Sequence, residues 1–511
     1  MSGSQPRATT GTRAAPGALR LSSAPGRWVV LACVLGSGIA GIDGTVANIA
    51  LPQIGRSLHV GFGSLQWVVN SYALTLASLI LLGGSLGDRY GRRRIFVIGI
   101  TWFGAASVLC AAAPSAGVLI AVRALQGVGG ALLTPASLAI LESSFDEDDR
   151  VRAIGAWAGL SGTASAIAPF LGGWLLAAGG WRWVFLINPP LVIAVVAVAV
   201  LHIPETRDPG APSRLDMRGA LLGIVGLAGL TAGLIAASEH TLGSASVSAP
   251  LAAGLAAAAL FVLAERREAN PMVPPRLFRS GQFSATNVIT FLLYAANGAA
   301  LLLLVIELQT VSAFSPLVAG TALLPITVVM LLLAARFGGW AHRRGPRLFM
   351  AIGPLVCAAG LAMLTRLGSQ SGYWTAVLPA VTVFGLGLAL FVAPLTATVL
   401  GAVPASHAGI ASGVNNSVAR AATLLAIAAL PLIVGLKGDA YRSAPQFLGP
   451  FRAAMWICAA LYAAGAVLAA MLIRDHAATR PRTCSGPIAL CGDPVLAAAP
   501  EVSPSDHGTK Q

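Results

Sequence analysis

Apolar runs long enough to cross a membrane follow one another along almost the whole chain, and polar residues are confined to the gaps between them. A membrane-spanning helix takes about 20 mostly apolar residues, and helices are one of the two structures that pair every backbone group without water. About fourteen such runs are present. They start near Trp28, Leu65, Ile95, Ala116, Val151, Trp183, Met217, Val247, Phe283, Pro316, Arg347, Tyr373, Ala408 and Phe451. Soluble domains carry about a quarter charged residues. Here only 10% are charged, 56% are hydrophobic and mean hydropathy is +0.78. The expected fold class is an all-α membrane protein.

The net charge of +14 invites a nucleic-acid reading, which the distribution of charge excludes. Nucleic-acid binders gather basic residues on one face, whereas here they sit in short clusters between apolar runs. Basic residues collect on the cytoplasmic side of a membrane. With the N-terminus inside, that side takes most of the 33 Lys and Arg residues. Only Arg56, Arg182, Arg366, Lys437, Arg442 and Arg452 fall outside, and Arg123 and Arg420 fall within helices. The expectation is a multi-pass protein of the cytoplasmic membrane with both termini in the cytoplasm. Cys33, Cys110, Cys357 and Cys458 lie in apolar runs and read as small hydrophobes. No metal spacing occurs.

The basic segment GGSLGDRYGRRRIF (Gly83–Phe96) has an echo in GGWAHRRGPR (Gly338–Arg347). Gly84 aligns with Gly338, Arg89 with Arg343, Gly91 with Gly345 and Arg93 with Arg347, while His342 replaces Asp88. The spacing implies two homologous six-helix bundles with a helix pair inserted between them, an arrangement typical of secondary transporters. The expected divisions are 1–27, a disordered tail; 28–204, the first bundle; 205–282, a linker with the inserted pair; 283–474, the second bundle; and 475–511, a second tail. The inserted pair has no obvious polar interior.

Charged groups inside apolar helices are costly and usually functional. Asp43, in GIDGTVANIALPQI, is one, and its carboxyl could take and release protons; a structural aspartate bonded to helix ends is the alternative. Arg123, in LIAVRALQGVGGA, needs acceptors and should face the bundle interior, either in proton transfer or bonding carbonyls at a helix break. Arg420 raises the same question in the second half, with Asn415 and Asn416 suggesting a polar helix contact. Asn48, Trp67, Asn70, Tyr72, Asn287, Tyr294 and Asn297 could line a mixed pocket. Glu307 could join them, although a solvated helix end is the blander reading. In ASAIAPFLGG (Ala164–Gly173) small residues permit close helix packing. WRWVFLINPP (Trp181–Pro190) reads as an interfacial turn.

The basic loop, carried by Gly84, Leu86, Asp88, Arg89, Gly91, Arg92 and Arg93, resembles the signature loop of the major facilitator superfamily. Asp43, Thr45, Val46, Asn48, Ala50, Leu51 and Pro52 match the first-helix motif of its fourteen-helix drug:proton antiporter-2 branch. Leu119, Arg123, Gln126, Gly127 and Gly129 match the superfamily's fourth-helix motif. Pro169, Gly172 and Gly173 match the exporter motif, but Ala164 and Ala168 replace two of its glycines. The resemblance covers roughly Trp28–Arg474.

The resemblance implies a monomeric, proton-coupled exporter of amphipathic, cationic or zwitterionic drugs. Asp43 and Arg123 would carry proton coupling, and drug and proton would compete at Asp43. Asp88, by the same resemblance, would lock the cytoplasmic side by accepting from the N-terminus of the thirteenth helix near Ala408–Ser412. No cofactor beyond the proton gradient is expected. Two other transport readings stay open, export of one endogenous metabolite and uptake by symport. A membrane enzyme would need clustered Asp, Glu or His, and the one acidic run, Asp146–Asp149, reads as a solvated loop.

Overall fold

The computed structural model describes residues 19–208, 216–241, 243–268, 271–369, 371–404 and 407–475. Both expected tails therefore lie largely outside the described residues. The helices are α1 (Ala24–Leu58), α2 (Phe62–Tyr90), α3 (Arg92–Ala112), α4 (Ala116–Ser144), α5 (Glu147–Gly179), α6 (Trp181–Leu186), α7 (Asn188–His202) and α8 (Met217–Glu239). They continue with α9 (Ala245–Arg267), α10 (Gly281–Thr310), α11 (Pro316–Thr321), α12 (Leu324–Arg344), α13 (Pro346–Leu364), α14 (Leu378–Gly401), α15 (Ala408–Ile433) and α16 (Ala444–Leu472). Among the described residues the only β pairing is an isolated bridge between Leu19 and Phe145.

Thirteen spans among the described residues are long and apolar enough to cross a membrane, with α6–α7 and α11–α12 each forming one. α5 is a further helix of 33 residues, of which Ile167–Gly179 is the described apolar part. Helix starts fall within a few residues of the apolar-run starts, with one larger difference. α16 begins at Ala444, because Pro445 suits a first turn and Pro450 is accommodated inside the helix. α1 begins at Ala24, inside the segment expected to be disordered. Its start is fixed by Pro25 in the first turn and by Ser23, whose hydroxyl accepts from the Gly26 amide at 3.1 Å.

The sequence repeat has a structural counterpart. Gly91 and Gly345 join α2 to α3 and α12 to α13, with φ of 113° and 92°, values that strain any residue with a side chain. Each glycine also admits a carboxylate that caps the next helix. Glu205 accepts from the amides of Arg93 (3.1 Å) and Arg94 (3.2 Å), and Asp475 accepts from the amide of Arg347 (3.1 Å). A methyl at Gly91 would lie 2.5 Å from the Glu205 carboxylate, and one at Gly345 would overlap that of Asp475.

α1 to α7 pack on one another, as do α10 to α16, and α8 lies against both α2 and α15. Leu81 of α2 lies against Gly413 of α15 on the basic side of the middle, while the hydrogen bonds between the two groups of helices cluster at the end away from the basic loops. There Tyr441 and Arg442 donate to the Val60 carbonyl, and Arg442 also to that of Gly55. Gln309 donates to the Ile49 carbonyl and Gln66 to that of Ile427. The apolar core follows the same division. One buried cluster runs through both groups, reaching from this far end to Met350 and Ile473 in the second; another is confined to α1–α7 toward the basic end, and a small third joins Leu277 and Phe283 to Val399, Ala411 and Val414. The inserted pair has polar groups after all: Thr231, Ser238 and Glu265 are buried. Thr231 and Ser238 escaped notice because single hydroxyls inside apolar runs carry no sequence signal, and Glu265 stands in the charged last turn of α9.

Candidate functional site

Asp43 projects from the middle of α1 and Arg123 from α4, and both are 1% exposed. Arg123 donates through Nη1 to Asp43 Oδ2, forming a buried ion pair. The other carboxylate oxygen, Oδ1, accepts from Gln126 Nε2 at 3.0 Å and from Asn188 Nδ2 at 3.1 Å. Gln126 stands one turn after Arg123 on α4 and accepts from Arg123 Nη1 at 2.7 Å. Ser107 of α3 closes the network, accepting from Gln126 (2.8 Å) and Asn188 (3.1 Å). Arg123 Nε donates to the Val68 carbonyl of α2, and the guanidinium lies 4.3 Å from the centroid of the Tyr72 ring. Five helices thus hold one charge pair.

The geometry decides what this centre can do. A buried ion pair braced by further hydrogen bonds holds together, but removal of either charge leaves the other uncompensated, a state costing several kcal/mol. Proton uptake by Asp43 would remove one of the charges. Arg123 would then need new acceptors, and α1, α2, α4 and α7 would have to adjust. The blander alternative for Arg123, bonding carbonyls alone, accounts for only its Nε contact. Asp43 does not line the seam between the two groups of helices, because its own neighbours enclose it. A drug and a proton therefore cannot meet at this carboxylate in the conformation seen.

Two members of the network escaped the sequence reading. Asn188 lies in the run taken as an interfacial turn, and its role comes from the break between α6 and α7 at Ile187 that starts a new helix at Asn188. Ser107 had no distinguishing signal. Gln126 was visible only as part of the fourth-helix motif.

In the basic loop, Asp88 does not reach the N-terminus of α15. Its carboxylate accepts from Arg92 Nε and Nη2 at 3.0 and 2.8 Å, one turn away. Its backbone carbonyl accepts from the Asp208 amide. Arg92 also donates to the Ala139 carbonyl and Arg93 to that of Ile203, while the Arg89 guanidinium lies over the Tyr90 ring at 5.2 Å. Gly84 faces Pro135 of α4. The loop is thus tied into its own group of helices, and the expected contact of Asp88 with α15 is not made.

That join uses the fifth-helix motif. A methyl at Gly173 would lie 2.6 Å from Leu317 Cα and the Pro316 carbonyl of α11, and one at Gly320 would strike the Pro169 carbonyl. Gly172 is similarly tight against Val46 of α1. Small residues here bring α5 against a helix of the other half. Ala168 is buried, and the side chain of Ala164 lies outside the described residues.

The remaining expected residues are spread along the seam. Asn415 of α15 donates to Asn287 (3.2 Å) and Thr290 (2.9 Å) of α10, the polar helix contact expected there, while Asn416 bonds its own helix. Asn48 and Asn297 each keep a buried amide oxygen without a partner. Trp67, Tyr294 and Arg420 are half-buried. Glu307 departs from the solvated-end reading and is 0% exposed. The chain after α10 doubles back over it, with the Phe314 amide bonding the Leu308 carbonyl and the Ser312 hydroxyl donating to Glu307 Oε1 at 3.0 Å.

Comparison with known proteins agrees with this architecture. The Major Facilitator Superfamily profile matches residues 33–427 and 286–487. The chain is 34% identical over 427 residues to the methylenomycin A resistance protein of Bacillus subtilis (strain 168), covering 83% of this chain and 91% of that protein. It is 33% identical over 413 residues to the tetracenomycin C resistance and export protein of Streptomyces glaucescens, covering 81% and 77%. Its fold resembles the crystal structure of the peptide transporter POT in complex with sulfate, with TM-score 0.63 at 14% identity over 87% of this chain and 95% of that one. With its repeated helix groups, its buried intramembrane charge pair and these matches, the chain belongs to the major facilitator superfamily.

Proposed function

We propose that the protein exports amphipathic organic compounds, antibiotics among them, across the cytoplasmic membrane in exchange for protons. Two of its relatives are named for resistance to antibiotics, and a transporter gives resistance by moving the compound out. The observation that carries the coupling is the Asp43–Arg123 pair, a titratable charge enclosed in α1–α7 and braced by the Gln126 and Asn188 side chains and the Val68 carbonyl. The basic loops face the cytoplasm, with both termini on the same side. The conformation described here is then joined at its outer end.

In this reading the cycle runs on bundle movement rather than on competition for one carboxylate. Opening of the far end admits a proton to Asp43. The freed Arg123, already over the Tyr72 ring, must find new acceptors, and the α1–α4 packing that favoured one conformation is lost. Return of the proton to the cytoplasm restores the pair. The protein works as a monomer, and the proton gradient is its energy source.

The test is efflux in proteoliposomes holding the full chain, driven by a pH step. Wild-type protein should move a dye against its gradient only when the step is imposed. Asp43→Asn should abolish the response to pH while substrate-for-substrate exchange persists. Undiminished pH-driven efflux by Asp43→Asn at normal abundance would place coupling elsewhere.

A further inference from the structure

We propose that Arg420 is a docking point for an acidic oxygen of the transported compound, so that the chain favours amphipathic acids over cations. The inference rests on the export reading and refines its substrate class. Arg420 lies on α15 where that helix passes both α2 and α10. Gln66 meets Ile427 and Leu81 lies against Gly413 along the α2 contact, while Asn415 meets Thr290 and Thr423 meets the Tyr294 carbonyl along α10. Arg420 falls between these levels, in electrostatic reach of Tyr72 on one side and Tyr294 on the other.

What distinguishes Arg420 is the lack of anything to neutralise it. Its Nε is buried with no hydrogen-bond partner, and among the described residues no carboxylate pairs with it. A guanidinium keeps its charge and offers only donors. Burying one without acceptors is costly, and such groups inside membranes mark pathways for polar cargo. The nearest buried acid is already taken, since Asp43 is matched by Arg123 behind the Tyr72 ring. Glu307 stands about 20 Å farther along α10, at 1.5 Å per residue. The centre therefore holds two guanidiniums against one carboxylate. A cation entering it meets net positive charge, whereas an acid supplies the missing anion. This argues against the cationic substrates expected from the resemblance.

The seam also holds unpaired amides suited to the rest of a polar cargo. Both amide atoms of Asn70, 0% exposed and one turn along α2 from Gln66, lack partners, as does Asn297 Oδ1 on α10. Bidentate pairing of a carboxylate with a guanidinium is among the stronger charge-assisted contacts. Lysine would keep the charge and lose the fork.

The experiment compares rhodamine B, which has a free carboxylate, with its ethyl ester, which has none, by fluorescence polarisation on the full chain in detergent. Wild-type protein should bind the acid more tightly. Arg420→Gln should weaken the acid roughly ten- to hundredfold and leave the ester little changed, while Arg420→Lys retains part of the preference. Thermal melting of each variant checks that the fold is intact. Equal binding of acid and ester by wild type, no binding of the acid, or equal loss of both in Arg420→Gln overturns the proposal. The export reading fails separately: acid-selective binding with no pH-driven movement of either dye in proteoliposomes would leave the acid subsite standing and remove the transport cycle.

Discussion

Asp43 and Arg123 in α1–α7 and Arg420 in α10–α16 are all ionisable groups placed deep in apolar helices, yet their surroundings are opposites. None of Asp43, Arg123, Gln126, Asn188 and Ser107 leaves a buried polar atom unpaired. In the second half Arg420, Asn297 and Glu307 each leave one, and α14, which stands where α4 stands in the first half, carries no ionisable side chain. The backbone plan is shared, down to the glycine and capping carboxylate at Gly91 and Gly345. The two halves therefore diverged in side chains while keeping their helix ends. A closed network resists change until a proton breaks it, whereas unpaired groups await something that completes them. The contrast is confined to these charged groups, since Asn48, Gln66 and Asn70 of the first half also keep buried polar atoms without partners.

The sharpest way to break this contrast is to remove one charge from the closed network. Asp43→Asn should cost about 3–5 kcal/mol in unfolding free energy, because Arg123 is left buried without its partner. Adding Arg123→Gln should recover more than half of that loss. Unfolding in detergent measures both, and an Asp43→Asn protein as stable as wild type would mean that the network is looser than its geometry.

The join at the far end is the next target. Gly173→Ala sets a methyl 2.6 Å from Leu317 Cα and the Pro316 carbonyl. It should disfavour the joined conformation by about 1–3 kcal/mol, as overpacking does. Labelling of a cysteine placed in the 434–443 loop should rise severalfold on that side. Unchanged labelling would show that α5 and α11 do not hold the halves together.

A smaller effect is expected where the second half is already unsatisfied. Arg420→Met removes a half-buried charge whose Nε has no partner, so stability should change by no more than about 1 kcal/mol, and upward. A loss approaching that of Asp43→Asn would reveal partners for Arg420 and erase the difference between the halves.

The smallest belongs to the basic loop. Asp88 is 36% and Arg92 15% exposed at the side chain, and they pair one turn apart, a contact worth about 0.3–0.5 kcal/mol. Asp88→Asn should cost no more than that in detergent, and a loss of several kcal/mol would mean that Asp88 is engaged across the halves.

The helices were readable because a bilayer demands long apolar runs, and the runs could be counted without knowing their neighbours. Asp43, Arg123 and Arg420 were conspicuous for the same reason, as charges where charge is costly. Their partners were not. Asn188 and Ser107 come from α7 and α3, and no local pattern marks an amide or hydroxyl as a ligand of a distant carboxylate. Glu307 looked like a helix end open to water, until the fold-back at Phe314 covered it. Asp88 has a neighbour four residues away that was in view from the start, but a loop motif cannot say which of two nearby partners it takes.

By itself, then, the sequence determined that this is a helical membrane protein of repeated design, which residues carry charge inside it, and where glycine must turn the chain. These follow from local quantities, namely the hydrophobic length of a segment, the desolvation cost of one group and the dihedral angles of one residue. Only the tertiary structure decided that Asp43 belongs to Arg123, that Arg420 Nε finds no partner among the described residues, and that hydrogen bonds join the two halves at the end away from the basic loops. Those are statements about which surfaces face each other, and pairing energy depends on distance and geometry among residues far apart in the chain.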